Sequence, residues 1–254
     1  MMERLDHSPG AAQAGTLAAR LQAIRERIGE AASRVNRAPD DIALVAVSKT
    51  IPVEVMRDAY ALGLRVFGEN RVQEAQEKIA ALALPDIHWE LIGHLQTNKA
   101  NRAADLFARV QSVDSLRLAE ALSARASALG KTLPILLEVN VAGEASKSGF
   151  AQEEAVEAAR LIAGLPSLRL EGLMTIAPQV DDPEDVRPVF RALRELRDQL
   201  REAVPLGDDD GWPELSMGMS DDFAVAIEEG ATLIRLGRAL FGARPAQPAA
   251  TAVQ

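Results

Sequence analysis

Lysine is scarce in this chain: of its 28 basic residues, 5 are lysine and 23 are arginine. One of the five, Lys49, closes the apolar run LVAVSKT, residues 44–50. An amine differs from a guanidinium in that, once desolvated, it sheds its proton and attacks a carbonyl. A lysine at the tip of a buried strand therefore points to Schiff-base chemistry. The structural alternative is a snorkelling stem that covers the rim while the ammonium stays in water.

Two further stretches suit an anion. SMGMSDDF, residues 216–223, sets serine and glycine between a strand and a helix, where backbone N–H groups and the helix dipole favour negative charge. IRLGRALFG, residues 234–242, places Gly237 two residues after Arg235, so the backbone there can approach a ligand closely. Arg235 lies inside an apolar run, and a buried guanidinium needs a partner. The alternative is that both glycines only serve turns. A lysine facing a phosphate pocket suits a phosphorylated aldehyde, and pyridoxal 5′-phosphate is the candidate.

Such groups need a frame that brings them together. Residues 16–35 repeat apolar positions at helical spacing, and DIALVAVSK (41–49) is a continuous apolar run of strand length. IPVEVMRDAYALG then reads as a helix with its proline near the first turn. Further strand candidates are 65–69, 87–93, 108–114, 134–141, 168–177, 214–218 and 232–242. Helical stretches at 71–83, 98–106, 115–128, 151–163, 184–203 and 221–229 separate them. Eight strands alternating with helices imply a single α/β domain, a (β/α)8 TIM-like barrel preceded by an extra N-terminal helix. An open doubly wound sheet is the other topology, but no G-x-G-x-x-G or P-loop pattern supports its nucleotide crevice.

In such a barrel the C-terminal strand ends converge on one face, where ligands bind. Those ends carry Lys49, Glu69 and Asn70, Gly93 and His94, Asp114, Asn140, Met174 and Thr175, Ser216 to Gly218, and Arg235 with Gly237. One polar mouth is the simplest reading. Taken singly each has another explanation: His94 and Asn70 as helix caps, Ser216 as a turn former, Met174 as core filling.

Composition narrows the classes. A net charge of −9 and a pI near 5.0 argue against a nucleic-acid footprint. With no cysteine, disulfides and thiolate metal sites are excluded, and His7, His88 and His94 are too scattered for a metal centre. The start, MMERLDHSPGAAQAG, has charges where a signal peptide needs an apolar core, and no apolar run approaches the roughly 20 residues of a membrane span. A soluble, cytoplasmic protein is expected. Residues 1–15 and 244–254 are expected to be disordered tails around one domain at 16–243.

VAVSKT, FGENRVQE, WELIGHLQTNK, EGLMTIAP, LSMGMSDDF and IRLGRALFG together resemble the pyridoxal-phosphate homeostasis protein family (YggS/PROSC-like). The resemblance runs from about residue 16 to 243 and implies the barrel of the alanine racemase N-terminal domain type. It also implies roles. Lys49 would carry the cofactor as an aldimine, while Ser216 and Met217, with the backbones of Gly237 and Arg238, would hold the phosphate. Arg235 would face the pyridine nitrogen, and Asn70, His94 and Met174 would line the surroundings.

Two points weigh against catalysis. An arginine beside the pyridine nitrogen disfavours its protonation and makes the ring a poorer electron sink. A two-base racemase also needs a second acid–base group. Alanine racemases are similar to one another in supplying it from a separate C-terminal domain, whereas this sequence ends just after strand eight and its one tyrosine, Tyr60, falls on a helix outside the barrel. The expectation is a carrier or buffer of pyridoxal phosphate, possessing no catalysis of its own and acting as a monomer that hands the cofactor to apo-enzymes. The alternative is a racemase-like enzyme acting on a small amino acid; a ligand-free interaction module fits the polar mouth least.

Overall fold

The computed structural model describes residues 9–144, 146–206 and 211–242, with side chains from residue 16 onward. Helix α1 spans Pro9–Arg34. It therefore begins inside the stretch expected to be a tail: proline is accepted at a first helical position, and the alanines that follow are strong helix formers. Residues 1–8, the 244–254 tail and residues 207–210 of the acidic loop lie outside the described residues. Leu17, Leu21, Ile24, Ile28 and Ala31 share one face of α1 and are buried.

Strands β1 (Ala43–Val47), β2 (Val66–Glu69), β3 (His88–Leu91) and β4 (Arg109–Val113) are followed by β5 (Leu133–Glu138), β6 (Leu168–Met174), β7 (Glu214–Ser216) and β8 (Leu233–Leu236). They pair in parallel in chain order and close into a barrel, β8 returning to β1 with Ala43 opposite Leu233 and Ala46 opposite Leu236. Helices α2 (Val53–Ala61), α3 (Val72–Leu82), α4 (Ala100–Leu106), α5 (Leu116–Ala128), α6 (Ala155–Ala163), α7 (Arg187–Ala203) and α8 (Phe223–Glu228) connect them, and α9 (Arg238–Phe241) follows β8.

The strands read as unbroken apolar runs because both of their faces are covered. Val45, Val47, Ile92, Leu136, Met174 and Leu233 pack together within the barrel, while Ala46, Phe67 and Leu137 belong to the larger core shared with the helices. Near the N-terminal strand ends Arg109 reaches Glu171 at 3.0 Å and Glu214 at 3.3 Å, with Glu90 at 3.7 Å.

One strand expectation is corrected. The strand candidate at 232–242 ends at Leu236, because the chain turns at Gly237 and RALF closes a helical turn. Pro52 is the N-cap of α2 and sits beside its first turn, as expected.

Candidate functional site

The C-terminal strand ends open into a cavity of about 570 Å³, within the range of small-molecule sites. Lys49, Asn70, Arg235, Gly237 and Arg238 all line it, from β1, β2 and β8. Lys49 is half-buried just beyond β1. Asn70 does not cap α3, whose N-cap is Arg71. Its Oδ1 is buried with no hydrogen-bond partner, so the cavity wall carries an acceptor that only a ligand or solvent donor can satisfy. Gly93 packs directly against this residue: a Cβ there would lie 2.6 Å from the Asn70 backbone carbonyl oxygen.

Along the same cavity, the loop after β7 meets the turn after β8. Ser220 Oγ accepts from the Ala239 N–H at 3.0 Å and ties the two segments together, while Asp222 Oδ1 accepts from the Met219 N–H at 2.6 Å within the first loop. The amides of Leu240 and Phe241 donate to the Gly237 carbonyl. The N–H groups of Gly237 and Arg238 stand at the start of α9, where no intrahelical acceptor exists. Gly218, at φ +94°, turns the chain where a Cβ would meet Ala226 Cβ at 2.6 Å. The Arg238 guanidinium pairs with Asp221.

Arg235 forms the floor. It is buried and donates to Ser216 Oγ at 2.6 Å and to the Thr175 carbonyl at 2.7 Å. Ser216 Oγ donates onward to Gln111 Oε1 at 2.6 Å, and Gln111 Nε2 donates to Glu90. Because arginine only donates, the direction of this buried chain is fixed from Arg235 to Glu90. Burial pulls the guanidinium down to about 10 despite the opposing fields of Glu138 and Asp222.

Four expected site residues are not among those lining this cavity. Ser216 is fully buried and its hydroxyl is engaged by Arg235 and Gln111. Met217 is buried in the core and its amide donates to the Leu233 carbonyl. Met174 packs inside the barrel, which is its core-filling alternative. His94 caps no helix; its Nδ1 sits 2.7 Å from Asp114 and it faces a smaller cavity of about 120 Å³.

Glu138 lines that smaller cavity, with burial and then Asp114 pushing its carboxyl up to about 7. Sequence reasoning missed Ser220, although it stands in the quoted SMGMSDDF stretch, four residues beyond Ser216. It also missed the wall at Ile176, Pro178, Gln179 and Val180, whose only signal was the end of the EGLMTIAP run.

The barrel matches the family described as alanine racemase, N-terminal domain, over residues 19–245. An alanine racemase from Corynebacterium glutamicum shares this fold at 17% identity, with a TM-score of 0.70 over 95% of this chain and 64% of that one. Among closer relatives, a pyridoxal phosphate homeostasis protein of Aquifex aeolicus is 45% identical over 225 residues, 89% of this chain and 97% of that protein. Another from Pseudomonas aeruginosa is 46% identical over 229 residues, 90% and 96% of the two chains. PipY of Synechococcus elongatus, solved with PLP bound, is 37% identical with a TM-score of 0.78, covering 89% of this chain and all of that one. The chain belongs to the pyridoxal phosphate homeostasis protein family.

Proposed function

We propose that the protein binds pyridoxal 5′-phosphate reversibly in the main cavity and keeps it as a buffered cellular reserve, without turning over amino acids. The observation that carries this reading is that Lys49, Ser220, Arg235, Gly237 and Arg238 all line one cavity. The donor set suits the group: an amine for the aldehyde, main-chain N–H groups with a hydroxyl for the phosphate, and an orphan acceptor at Asn70. The names of the relatives and the PLP bound to PipY support the same ligand.

When bound, the cofactor supplies an aldehyde carbon that an amine can capture. Lys49 would hold it covalently, the Gly237 and Arg238 amides and the Ser220 hydroxyl would hold its phosphate, and Arg235 would meet the ring nitrogen as a fixed donor. That guanidinium keeps its charge at neutral pH and disfavours a proton on the ring nitrogen, so the site is poorly suited to stabilising a carbanion. Tyr60 stacks under the Arg65 guanidinium on α2, 3.8 Å from ring centroid to carbon, and does not line the cavity. Among the described residues no helix is long and apolar enough to cross a membrane. The same reading takes the protein as a cytoplasmic monomer that passes its ligand to apo-enzymes.

An absorption spectrum of the purified protein tests it. Loaded protein is expected to be yellow, to lose its visible band on borohydride reduction, and to release ligand to alanine or serine without racemising them. Racemisation or α-proton exchange at enzyme-like rates would replace the buffer with the racemase-like alternative. Colourless protein that gains no visible band with added pyridoxal phosphate would remove the reading altogether.

A further inference from the structure

Lys49 is flanked by two residues whose peptide groups are held from below. Lys78, on α3, is 7% exposed. An ammonium has three donors, and Lys78 places all three: on the Ser48 carbonyl at 2.5 Å, on Glu69 Oε1 at 2.7 Å and on Glu74 Oε1 at 2.6 Å. Glu69 Oε1 also accepts from the Ser48 hydroxyl at 2.6 Å, and Glu74 Oε1 accepts from the Thr50 N–H at 2.6 Å. Residues 48 and 50 are thus both gripped, and Lys49 lies between them.

The backbone at that point is one that a threonine rarely adopts. Thr50 has φ +64°, in the left-handed region where a β-branched residue is costly. Such a conformation persists only when its surroundings over-determine it, and the Glu74 contact to its N–H does so. The cluster is also electrostatically unusual, with two carboxylates sharing one ammonium. Glu69 is wholly buried, its Oε2 has no hydrogen-bond partner, and burial pushes its carboxyl up. A salt bridge built this way is weak evidence for stability, because desolvation offsets much of its Coulomb energy.

We propose that Glu69, Glu74 and Lys78 form a positioning clamp that fixes the peptide groups on either side of Lys49 and so aims its amine into the main cavity. The proposal rests on the reading that Lys49 holds the cofactor. None of the three residues lines the cavity, so each acts through Lys49. Spacing produces the device: Glu74 and Lys78 are four apart on one face of α3, and β2 delivers Glu69 beside them.

The test compares two ligands on the purified full-length chain. Pyridoxal 5′-phosphate has the aldehyde; 4′-deoxypyridoxine 5′-phosphate keeps the ring and phosphate but carries a methyl in its place, so it needs no aimed amine. For E74A, affinity for pyridoxal phosphate is expected to fall about tenfold, the scale of one lost charge-assisted hydrogen bond, while the analogue changes less than about twofold. E74Q keeps an acceptor for the Thr50 N–H and is expected to recover most of the loss. Should E74A fold poorly, K78M/E69Q removes the buried charges together and is expected to show the same split. Equal loss of both ligands, or no loss of either, overturns the clamp. Wild-type protein that bound neither ligand would overturn the reading of the cavity, and the clamp with it.

Discussion

Lys49 and the Gly237–Arg238 turn both line the main cavity, yet they are held by different means. Behind Lys49 stand charged side chains, with Glu74 and Lys78 bonded to the neighbouring peptide groups and Glu69 to the Ser48 hydroxyl and to Lys78. Behind the turn stands mostly backbone: Ser220 Oγ ties to the Ala239 amide, and Gly218 lets the chain approach α8. The difference follows from what each side must do. A covalent handle needs direction, and side-chain contacts on both neighbours give direction. A phosphate needs convergent N–H dipoles, and a carboxylate placed among them would repel it.

The largest effect should come from breaking the first side at its tip. K49A is expected to abolish borohydride-trappable attachment while leaving 4′-deoxypyridoxine 5′-phosphate bound, as measured by intact mass and titration. A trapped adduct on K49A would move the handle elsewhere.

Away from both sides, Glu138 gives a pH test. Its carboxyl is raised from the ordinary value of 4.5 to about 7 by burial and by Asp114, with Arg235 and His94 opposing. The native state therefore binds the proton more tightly than the unfolded chain. Stability contributed by this group is present below about pH 4.5 and falls as pH rises towards 7. E138Q should stabilise the protein at pH 8 by about 3 kcal/mol and change little near pH 4, read from unfolding curves at both pH values. An equal shift at the two pH values would show that charge is not the cause.

The backbone-built side makes two smaller predictions. G218A puts a Cβ 2.6 Å from Ala226 Cβ at φ +94°, and should cost about 2 kcal/mol of stability. G237A meets nothing closer than 3.5 Å, so its stability should stay within about 0.5 kcal/mol of wild type. If both cost the same, close approach is not what the loop requires. S220A should weaken pyridoxal phosphate and its deoxy analogue about tenfold while sparing unphosphorylated pyridoxal. Equal weakening of all three would take Ser220 out of the phosphate site.

Much of this arrangement was legible in the chain itself. Eight apolar runs separated by amphipathic stretches pointed to a parallel sheet covered on both faces, since such a sheet uses unbroken apolar strands. The lack of a nucleotide-binding glycine motif favoured the barrel over an open sheet. Lys49, Asn70, Arg235 and Gly237 could be placed on one rim from strand position alone, and Arg238 came from the family resemblance. The clamp was not legible, since nothing in FGENRVQEAQEK marks Glu74 and Lys78 as facing β1 and not solvent. The division of labour between Ser216 and Ser220 was equally hidden. Both stand in one eight-residue stretch, and the choice depends on where β7 ends.

The sequence by itself determined which chemistry was possible: a scarce amine at a strand tip, an arginine inside an apolar strand, and glycine turns ready for an anion. Those follow from residue type and local spacing. Only the tertiary structure decided which polar groups face the ligand and which face each other. Ser216 points inward because Gln111, 105 residues away, and Arg235 close around its hydroxyl, and His94 is drawn aside to Asp114. Such pairings arise when the barrel closes and distant strands become neighbours, and local periodicity carries no record of them.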